Sequence, residues 1–248
     1  PTVVISSNTD VCPNGSATIN FKGTPNATVT YTENGGNQTI ILNASGDASI
    51  TKTFAATTIY SLVSIASSGM PSCIQPQNGT VTIKVIPLPI VTISGNATIC
   101  PDGSATITFK GTPNAIVTYK VNNGENQTIV LNASGTASLV NTYAVTTIFS
   151  LVSITSATLN CNQPQTGTAT ITVLPLPTVT ISSDASICSG ENATVTFKGT
   201  PNANVTYKVN GGIDQNIILN ALGIATITKI FTESTIYSLV SVASAGTP

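Results

Sequence analysis

The residues of this chain best placed to do chemistry are its five cysteines, whose positions repeat along the sequence. Cys12, Cys100 and Cys188 lie 88 residues apart, and Cys73 and Cys161 form a second series with the same spacing. Regularly spaced cysteines in a threonine-rich chain with strand-like alternation indicate disulfide bonds formed in an oxidising compartment. Zinc binding does not fit, because the sequence has no histidine and no CxxC pair.

Two disulfide schemes fit these positions. The first joins cysteines 61 residues apart within one repeat, as Cys12–Cys73 and Cys100–Cys161. The second joins neighbouring repeats, as Cys12–Cys161, and gives Cys100 a partner at position 249, one residue past the end of this sequence. In both schemes the partner of Cys188 lies outside the sequence. The Cα atoms of a disulfide lie within about 7 Å of each other, so the schemes exclude each other. The expected strand order puts the two cysteine loops of one repeat at opposite ends of a sandwich, which favours the second scheme.

Other side chains predict neither catalysis nor a bound cofactor. Without histidine, no Ser-His-Asp or Cys-His arrangement can form. The carboxylates, for example Asp102, Glu125, Asp184 and Asp214, stand singly in expected loops, and no pair of them recurs at one repeat position. Calcium binding would need several carboxylates that converge on one point. We therefore expect no enzyme, no metal site and no cofactor.

Three other repeated features have ordinary structural explanations. Lys22, Lys110 and Lys198 resemble the lysines of isopeptide crosslinks, but no acid recurs beside them, so we expect solvated turn lysines. The ten Asn-x-Ser/Thr sequons are expected by chance in a chain rich in Asn and Thr, although N-glycosylation would use the same motif. Threonine pairs such as Thr106 and Thr108 keep a strand soluble on its outer face, although regular threonine rows can also bind ice.

Composition excludes two classes of partner. Only 7% of the residues are charged, the net charge is −1, and there is no tryptophan. A nucleic-acid-binding surface needs a basic stripe to neutralise phosphates, and none is present. No apolar run approaches the length of a membrane-spanning helix. We expect neither nucleic acid binding nor membrane insertion.

A gapless internal repeat of 88 residues defines the organisation of the chain. The segment 22–26 recurs at 110–114 and again at 198–202. The period predicts three units at 1–89, 90–177 and 178–248, of which the third holds only 71 of the 88 positions. The third unit lacks a counterpart of 167–173, so we expect an array that continues. The links Pro87–Pro89 and Pro175–Pro177 should be stiff spacers, because proline restricts the backbone.

Period-2 alternation predicts seven short strands in the middle unit. They lie at about 91–93, 105–109, 117–121, 127–131, 136–143, 147–154 and 167–174. Thr112-Pro113-Asn114 should form a turn, and Asn122-Asn123-Gly124 should close a hairpin. The sequence therefore predicts an all-β fold, a tandem array of three immunoglobulin-like β-sandwich repeats in which the third lacks its last strand.

Three segments of the middle unit resemble a known class of repeat. They are 105–115 (ATITFKGTPNA), 126–135 (NQTIVLNASG) and the motif Tyr/Phe-Ser-Leu-Val-Ser, which opens the sixth strand. Together with Ile-Cys-Pro-Asp-Gly-Ser at 99–104, they resemble the tandem immunoglobulin-like repeats of giant cell-surface adhesins of gliding Bacteroidetes, the SprB type and its relatives. The resemblance implies export by the type IX pathway, an extracellular location on the cell surface, and a role in adhesion or gliding motility.

The residues by themselves predict a structural segment, because each unit repeats its scaffold without a distinctive polar cluster. We expect a stalk that projects a distal adhesive tip, whose surface or glycan ligand binds outside this chain. Its other partners would be neighbouring repeats and laterally associated copies. The alternative hypothesis is that the divergent loops Ser67–Asn78 and Ser156–Gln165 bind glycans or a surface themselves. An ice-binding adhesin is a third hypothesis.

Overall fold

The computed structural model describes residues 1–7, 10–183 and 186–245, which form β-strands, turns and loops. These residues include no helix, and hence none long and apolar enough to cross a membrane. The prediction of an all-β chain is confirmed. Alternating residue types explain it, because each strand then has one face for a core and one for solvent. In Gly15–Gly23, for example, Ala17, Ile19 and Phe21 are buried and the residues between them are not.

The described residues form 23 strands, which recur in the same order along the chain. The first repeat has β1 (Val3–Ser7), β2 (Gly15–Gly23), β3 (Thr28–Glu33), β4 (Gly36–Ile41), β5 (Asp47–Phe54), β6 (Thr58–Ala66), β7 (Ile74–Pro76) and β8 (Thr80–Ile83). The second has β9 (Val91–Ser94), β10 (Ala97–Ile99), β11 (Gly103–Gly111), β12 (Ile116–Val121), β13 (Asn126–Val130), β14 (Thr136–Tyr143), β15 (Thr147–Thr155), β16 (Asn162–Pro164) and β17 (Thr168–Val173). The third has β18 (Val179–Ser183), β19 (Glu191–Gly199), β20 (Asn204–Val209), β21 (Asp214–Ile218), β22 (Ile224–Phe231) and β23 (Tyr237–Ala243).

Each repeat divides its strands between two sheets. In the first repeat, one sheet has the order β1-β2-β5 and the other the order β4-β3-β6-β7, with β8 also paired to β6. The equivalent sheets are β14-β11-β9 and β10-β17-β15-β12-β13 in the second repeat, and β18-β19-β22 and β21-β20-β23 in the third. This division, with the first, second and fifth strands opposite the third, fourth and sixth, is the arrangement of an immunoglobulin-like sandwich. The predicted tandem array is confirmed, and the described part of the third repeat has no counterpart of β8 or β17.

All seven strands predicted for the middle unit are present, but two short strands were not predicted. Strand β10 pairs in parallel with β17, whereas β9 pairs antiparallel with β11. Strand β16 lies in the predicted loop before the seventh strand and pairs with the end of β15. Each is three residues long, too short for a period of two to be recognisable in the sequence.

The period is 88 residues but is not free of gaps. Strands β2 and β11 begin 88 residues apart, whereas β5 and β14 begin 89 residues apart. The added residue lies in the hairpin between the third and fourth strands. Asn34 and Gly35 alone connect β3 to β4, both with the positive φ of a type I′ turn, and the second repeat has a longer loop there. A hairpin loop accepts an insertion because it leaves the paired strands in register.

The predicted Thr-Pro-Asn turns are formed in all three repeats. Asn26, Asn114 and Asn202 have φ angles of 58°, 58° and 60°. The N–H of Ala115 donates to the carbonyl of Thr112, which closes the turn with proline second and asparagine third. This is the sequence preference of a type II turn, because asparagine tolerates the left-handed region better than most residues.

An aromatic pair bridges the two sheets at the centre of each repeat. Phenylalanine from the second strand packs on tyrosine from the third, in the pairs Phe21–Tyr31 (5.1 Å between centroids), Phe109–Tyr119 (5.1 Å) and Phe197–Tyr207 (5.0 Å). The phenylalanines are fully buried. Such pairs contribute about 0.5–1.5 kcal/mol beyond the burial of their area. A recurring core of this kind explains why the fold persists while surface residues change.

The chain forms two compact units. The first consists of Pro1–Ser94, Thr108–Ser138 and Phe149–Thr168, and the second of Gly95–Ile107, Leu139–Ile148 and Ala169–Pro248. The first unit contains all strands of the first repeat, together with Cys12 and Cys161. The second contains the strands of the third repeat. The division into three domains at 89 and 177 stays a prediction.

A glycine before the fifth strand provides a test of the turn geometry. Gly46 has φ +78°, and a Cβ there would overlap the carbonyl oxygen of Gly23. Gly35 has a similar φ of +87°, but a Cβ there would meet open space. We expect Gly46→Ala to lower the free energy of unfolding by about 3 kcal/mol or more, because strain and backbone collision combine. Gly35→Ala, with strain alone, should cost about 1 kcal/mol. Denaturant unfolding followed by circular dichroism measures both, and equal losses would contradict the close approach.

Candidate functional site

The structure joins Cys12 of the first repeat to Cys161 of the second by a disulfide bond. Their Cα atoms are 5.7 Å apart, and 149 residues separate them in sequence. The Cys12 sulfur also lies 4.0 Å from the carbonyl oxygen of Leu159, two residues before Cys161. The bond follows the second predicted scheme, in which neighbouring repeats are linked. Below, the term disulfide junction means Cys12, Cys161 and the turn or loop that holds each of them.

Two sets of backbone hydrogen bonds position Cys12. Val11 pairs in parallel with Val85, with Val11 donating to the carbonyl of Lys84 at 3.0 Å. Beyond Cys12 the chain turns back, because the N–H of Gly15 donates to the Cys12 carbonyl at 2.8 Å. Within this turn the N–H of Asn14 donates to the carbonyl of Phe54, the last residue of β5. Cys12 is therefore held in a turn fixed to both sheets of the first repeat.

A serine clamp holds Cys161. The N–H of Ser156 donates to the Cys161 carbonyl at 3.0 Å, and the Cys161 N–H donates to the Ser156 hydroxyl at 3.1 Å. Both residues are buried, Cys161 to 2% exposure. The same clamp recurs in the first repeat, where Ser67 and Cys73 make the two corresponding bonds at 3.0 and 2.9 Å. This role of Ser67 and Ser156 was not predicted, although both serines directly follow the sixth strand of their repeat.

The alternative pairing within a repeat, Cys12–Cys73 and Cys100–Cys161, is not formed. Cys12 lies near the start of β6, since Val85, which pairs with Val11, donates to the hydroxyl of Thr57. Cys73 lies at the other end of β6, where Ala66 pairs with Ile74. Nine residues of strand extend over about 30 Å, far beyond the reach of a disulfide. The second repeat has the same order, because β15 also has nine residues and Cys161 follows its end.

Three cysteines remain as free and exposed thiols, namely Cys73, Cys100 and Cys188. Cys100 belongs to the second repeat and Cys188 to the third. The turns that hold these two thiols match that of Cys12. The N–H of Gly103 donates to the Cys100 carbonyl, and that of Glu191 donates to the Cys188 carbonyl.

A charged cluster lies on the edge of the first repeat. The ammonium of Lys52 forms an ion pair with Glu33 and lies 5.6 Å from the ring centroids of both Phe54 and Tyr60. Burial is the largest single effect and lowers the pKa of Lys52, but the hydrogen bonds and charge interactions with Glu33 and Tyr60 together outweigh it, so the pKa is raised. Burial and the Glu33 charge raise the pKa of Tyr31 and of Tyr60. The cluster was not predicted, because its members lie on three different strands.

This cluster is not repeated along the array. In the third repeat, Lys229 lies over Phe231 and Tyr237, at 5.2 and 5.5 Å, but Val209 replaces the glutamate. In the second repeat, Asn141 replaces the lysine. A catalytic or binding site shared by the repeats would need the same polar groups in each, so the complete cluster is a feature of the first repeat alone among the described residues.

The remaining predicted features lie on the surface. Lys22 forms an exposed ion pair with Asp47 at 3.3 Å, as expected for a solvated turn lysine. Asp102 has a positive φ in the turn after Cys100, and Asp184 lies outside the described residues. Among the described residues, no group of three or more Cys, Asp or Glu side chains could hold a metal ion.

Outer sheet faces carry hydroxyl pairs across strands. Thr18 and Thr51 are 2.8 Å apart, and Thr194 and Thr228 are 2.9 Å apart. In the second repeat, Thr108 and Ser138 form such a pair at 3.3 Å, at different positions of the same two strands. Such pairs stabilise neighbouring strands by about 0.2–1 kcal/mol, which explains the threonine rows without a ligand.

The third repeat contains a cleft of about 570 Å³. Its lining is mostly apolar and hydroxyl side chains, with Glu233 at one position. Ala193, Val195 and Tyr237 form part of its wall. In the first repeat, the equivalent edge of the sixth strand is covered by β8, whose Ile83 is fully buried. The cleft therefore exposes core side chains of the third repeat at the position that β8 covers in the first repeat.

Comparisons with known proteins give neither a family nor a curated relative, since no family and no curated protein matches the chain. Among solved structures, a marsupial T cell receptor has 10% identity and a TM-score of 0.46, covering 96% of this chain and 98% of that one. A 1.5-MDa bacterial ice-binding adhesin, studied for host cell surface retention, has 17% identity, a TM-score of 0.43, and coverage of 93% and 88%. The D0-D1 domain of intimin has 14% identity, a TM-score of 0.28, and coverage of 69% and 100%.

The Lys52 cluster predicts a loss of stability at alkaline pH. The pKa values of Lys52, Tyr31 and Tyr60 are raised in the folded state, so folding holds these protons more tightly than the unfolded chain does. Their contribution to stability is complete below about pH 10 and decreases as the pH rises through the folded-state pKa values. Glu33→Gln removes the charge that raises all three pKa values.

We therefore expect Glu33→Gln to reduce the alkaline loss of stability. At neutral pH the variant should lose about 1 kcal/mol or less, because the ion pair is partly exposed. Thermal unfolding followed by circular dichroism between about pH 8 and pH 11 measures this. Glu125→Gln, in an exposed loop of the second repeat, is the matched control and should follow the wild-type pH profile. An unchanged profile for Glu33→Gln would contradict the assignment.

Proposed function

We propose that this chain is a structural segment of the shaft of a very large cell-surface adhesin, without enzymatic activity. The observation that carries the proposal is the disulfide junction, because it joins successive repeats of the same scaffold. Location on the bacterial surface, type IX export and a role in adhesion or gliding follow from the resemblance of the repeats. A ligand at a distal tip and lateral association between copies stay predictions.

The junction alters the path of mechanical tension through the chain. A force applied at the two ends reaches Cys12, crosses the disulfide to Cys161, and bypasses the residues between them. The bypassed segment holds strands β2 to β15, which includes most of the first and second repeats. An extended chain covers about 3.5 Å per residue, so a separation of 149 residues hides about 500 Å of extension. Such a segment resists elongation even when a repeat unfolds.

The side chains that vary between repeats also support a scaffold function. The core phenylalanines and tyrosines recur, whereas the lysine of the Lys52 cluster becomes Asn141 in the second repeat. A shaft needs the same fold at every position but no common site. The described repeats share the aromatic core pair and do not share the Lys52 cluster.

Single-molecule stretching of the full chain tests the mechanical proposal. We expect the oxidised chain to extend about 500 Å less, when fully unfolded, than the Cys12→Ser/Cys161→Ser variant. The same difference should appear when the wild type is stretched in a reducing agent. Cys73→Ser is the matched control, because Cys73 is unpaired, and it should behave as the wild type. Equal extension of oxidised wild type and double variant would refute the shielding.

A second candidate function is recognition by the loops that follow the sixth strand. Loop 67–78 presents Met70, which is 100% exposed, and Ile74, which is 72% exposed. Exposed apolar side chains in a loop are a common feature of contact surfaces.

A glycan array probed with the full chain separates the two functions. The shaft function predicts no specific binding, because the repeats share no polar site. Specific binding at micromolar concentration that is lost in Met70→Ser would favour the recognition function and overturn the pure shaft. Met70→Ser is a clean variant here, because the side chain is fully exposed and its loss should leave the fold unchanged.

A further inference from the structure

The disulfide between Cys12 and Cys161 closes a covalent ring, which here means residues 12–161 together with the bond between the two sulfur atoms. Two loops that follow a sixth strand lie inside this ring. They are loop 67–73, which connects β6 to β7, and residues 157–160, which precede Cys161. If the backbone is cut once inside the ring, the residues before Cys12 stay joined to the residues after Cys161 through the disulfide. The ring can therefore be opened without dividing the chain.

Loop 67–73 is an accessible stretch of backbone inside the ring. Residues 68–76 are all exposed, and Met70 is completely so. The N–H of Ser67 donates to the carbonyl of Cys73 and closes the base of the loop, whereas no backbone–backbone hydrogen bond of the described residues involves 68–72. The loop consists of serine, glycine, methionine, proline and cysteine. Exposed loop tips with small residues are preferred sites of proteolytic cleavage.

The corresponding loop of the second repeat is less accessible. Ser156 and Cys161, which close its base, are both buried, and Leu159 between them is half-buried. In the first repeat, the equivalent positions Met70 and Cys73 are exposed. A protease that acts on the folded chain should therefore reach loop 67–73 before it reaches residues 157–160.

The eight basic residues of the chain are all lysines and lie outside these loops. All but Lys84 lie on strands, namely Lys22, Lys52, Lys110, Lys120, Lys198, Lys208 and Lys229. Lys84 directly follows β8, and its carbonyl accepts the N–H of Val11 at 3.0 Å. A protease can cut such a segment only after local unfolding has released it from its pairings. Because trypsin-type proteases cut after lysine or arginine, neither loop is a substrate for them.

We propose that loop 67–73 is a proteolytic cleavage site for extracellular proteases that accept small or apolar residues, and that the disulfide junction keeps the shaft continuous across the cut. The protease adds one water molecule to one peptide bond. The C–N bond breaks, a carboxylate and an amino group form, and the disulfide takes no part. The site is important for the proposed shaft function, on which this inference rests, because a shaft outside the cell must carry tension after it has been cut.

The first repeat should stay folded after the cut, because the strands on either side of loop 67–73 pair with each other. Strand β6 precedes the loop, and both β7 and β8 follow it. The pairs Ser64–Pro76 and Thr58–Ile83 join β6 to these two strands. Ile83 is fully buried in the core of the first repeat. These contacts hold the two sides of the cut in place while the disulfide supplies the covalent connection.

Limited digestion of the folded full chain with subtilisin, a protease of broad specificity, tests the position of the site. Mass spectrometry of the first products should place the first cut within loop 67–73. Trypsin, applied for the same time, should leave the wild-type chain intact. A first subtilisin cut outside loop 67–73, or rapid cleavage of the folded chain by trypsin, would overturn the assignment of the site.

The variant Gly69→Lys tests the continuity across a single defined cut. It places a trypsin site before Met70, at a glycine whose added Cβ would meet nothing within 4 Å. After trypsin treatment, this variant should run at full mass on a non-reducing denaturing gel. Under reducing conditions it should give two fragments, residues 1–69 and 70–248. The matched control is the same substitution in the Cys12→Ser/Cys161→Ser background, which should give the two fragments under both conditions.

Single-molecule stretching then tests whether the cut chain carries tension. The cut, oxidised Gly69→Lys chain should remain attached at forces that unfold its repeats, whereas the cut control without the disulfide should separate when its first repeat unfolds. Separation of both chains at the same force would overturn the proposal, and so would loss of the β-sheet circular dichroism signal on cutting. Neither result would alter the extension difference between the uncut wild type and Cys12→Ser/Cys161→Ser, so failure here is distinct from failure of the shaft function.

Discussion

The two cysteine loops of a repeat are kept apart by a strand of nine residues, and most features of the chain beyond the fold depend on this separation. A strand of that length extends over about 30 Å, whereas a disulfide needs Cα atoms within about 7 Å. A cysteine at the start of the sixth strand therefore cannot reach a cysteine past its end. The nearest loop of suitable type belongs to the next repeat, so the covalent link must join repeats and cannot lie inside one.

The disulfide junction makes the stability of one repeat depend on its neighbour. In a chain-entropy description, closing a loop of 149 residues stabilises the folded state by about 5 kcal/mol. That loop encloses most of two repeats, so their unfolded chains are restricted together. Successive junctions of the same kind would enclose overlapping segments, because the spacing between cysteine turns, 88 residues, is shorter than the span of one bond, 149 residues. In such an array, the disulfide bonds would carry the tension past any repeat that unfolds locally.

Much of the fold is predictable from the sequence because alternation is a local property. The seven main strands of the second repeat lie where Val91 to Leu174 alternate, and the Asn-Gly and Thr-Pro-Asn turns lie where their φ preferences require. The three-residue strands β10 and β16 were not predictable, because they are strands only by virtue of the neighbours β17 and β15. The Lys52 cluster could not be predicted for the same reason, because Glu33, Lys52 and Tyr60 lie on three different strands, β3, β5 and β6.

The all-β class, the 88-residue repeat and the two cysteine series can be read from the amino-acid sequence, since they follow from residue type and spacing. The sequence left open whether Cys12 pairs with Cys73 or with Cys161, because both partners fit the spacing equally well. The length and position of the sixth strand in the folded chain select Cys161 as the partner. The serine clamp is also tertiary in origin, because Ser67 and Ser156 matter only where the strand ends and the loop turns back. Local residue preferences determine where the strands form, whereas the distance between the two ends of the sixth strand determines which cysteines can form a disulfide bond.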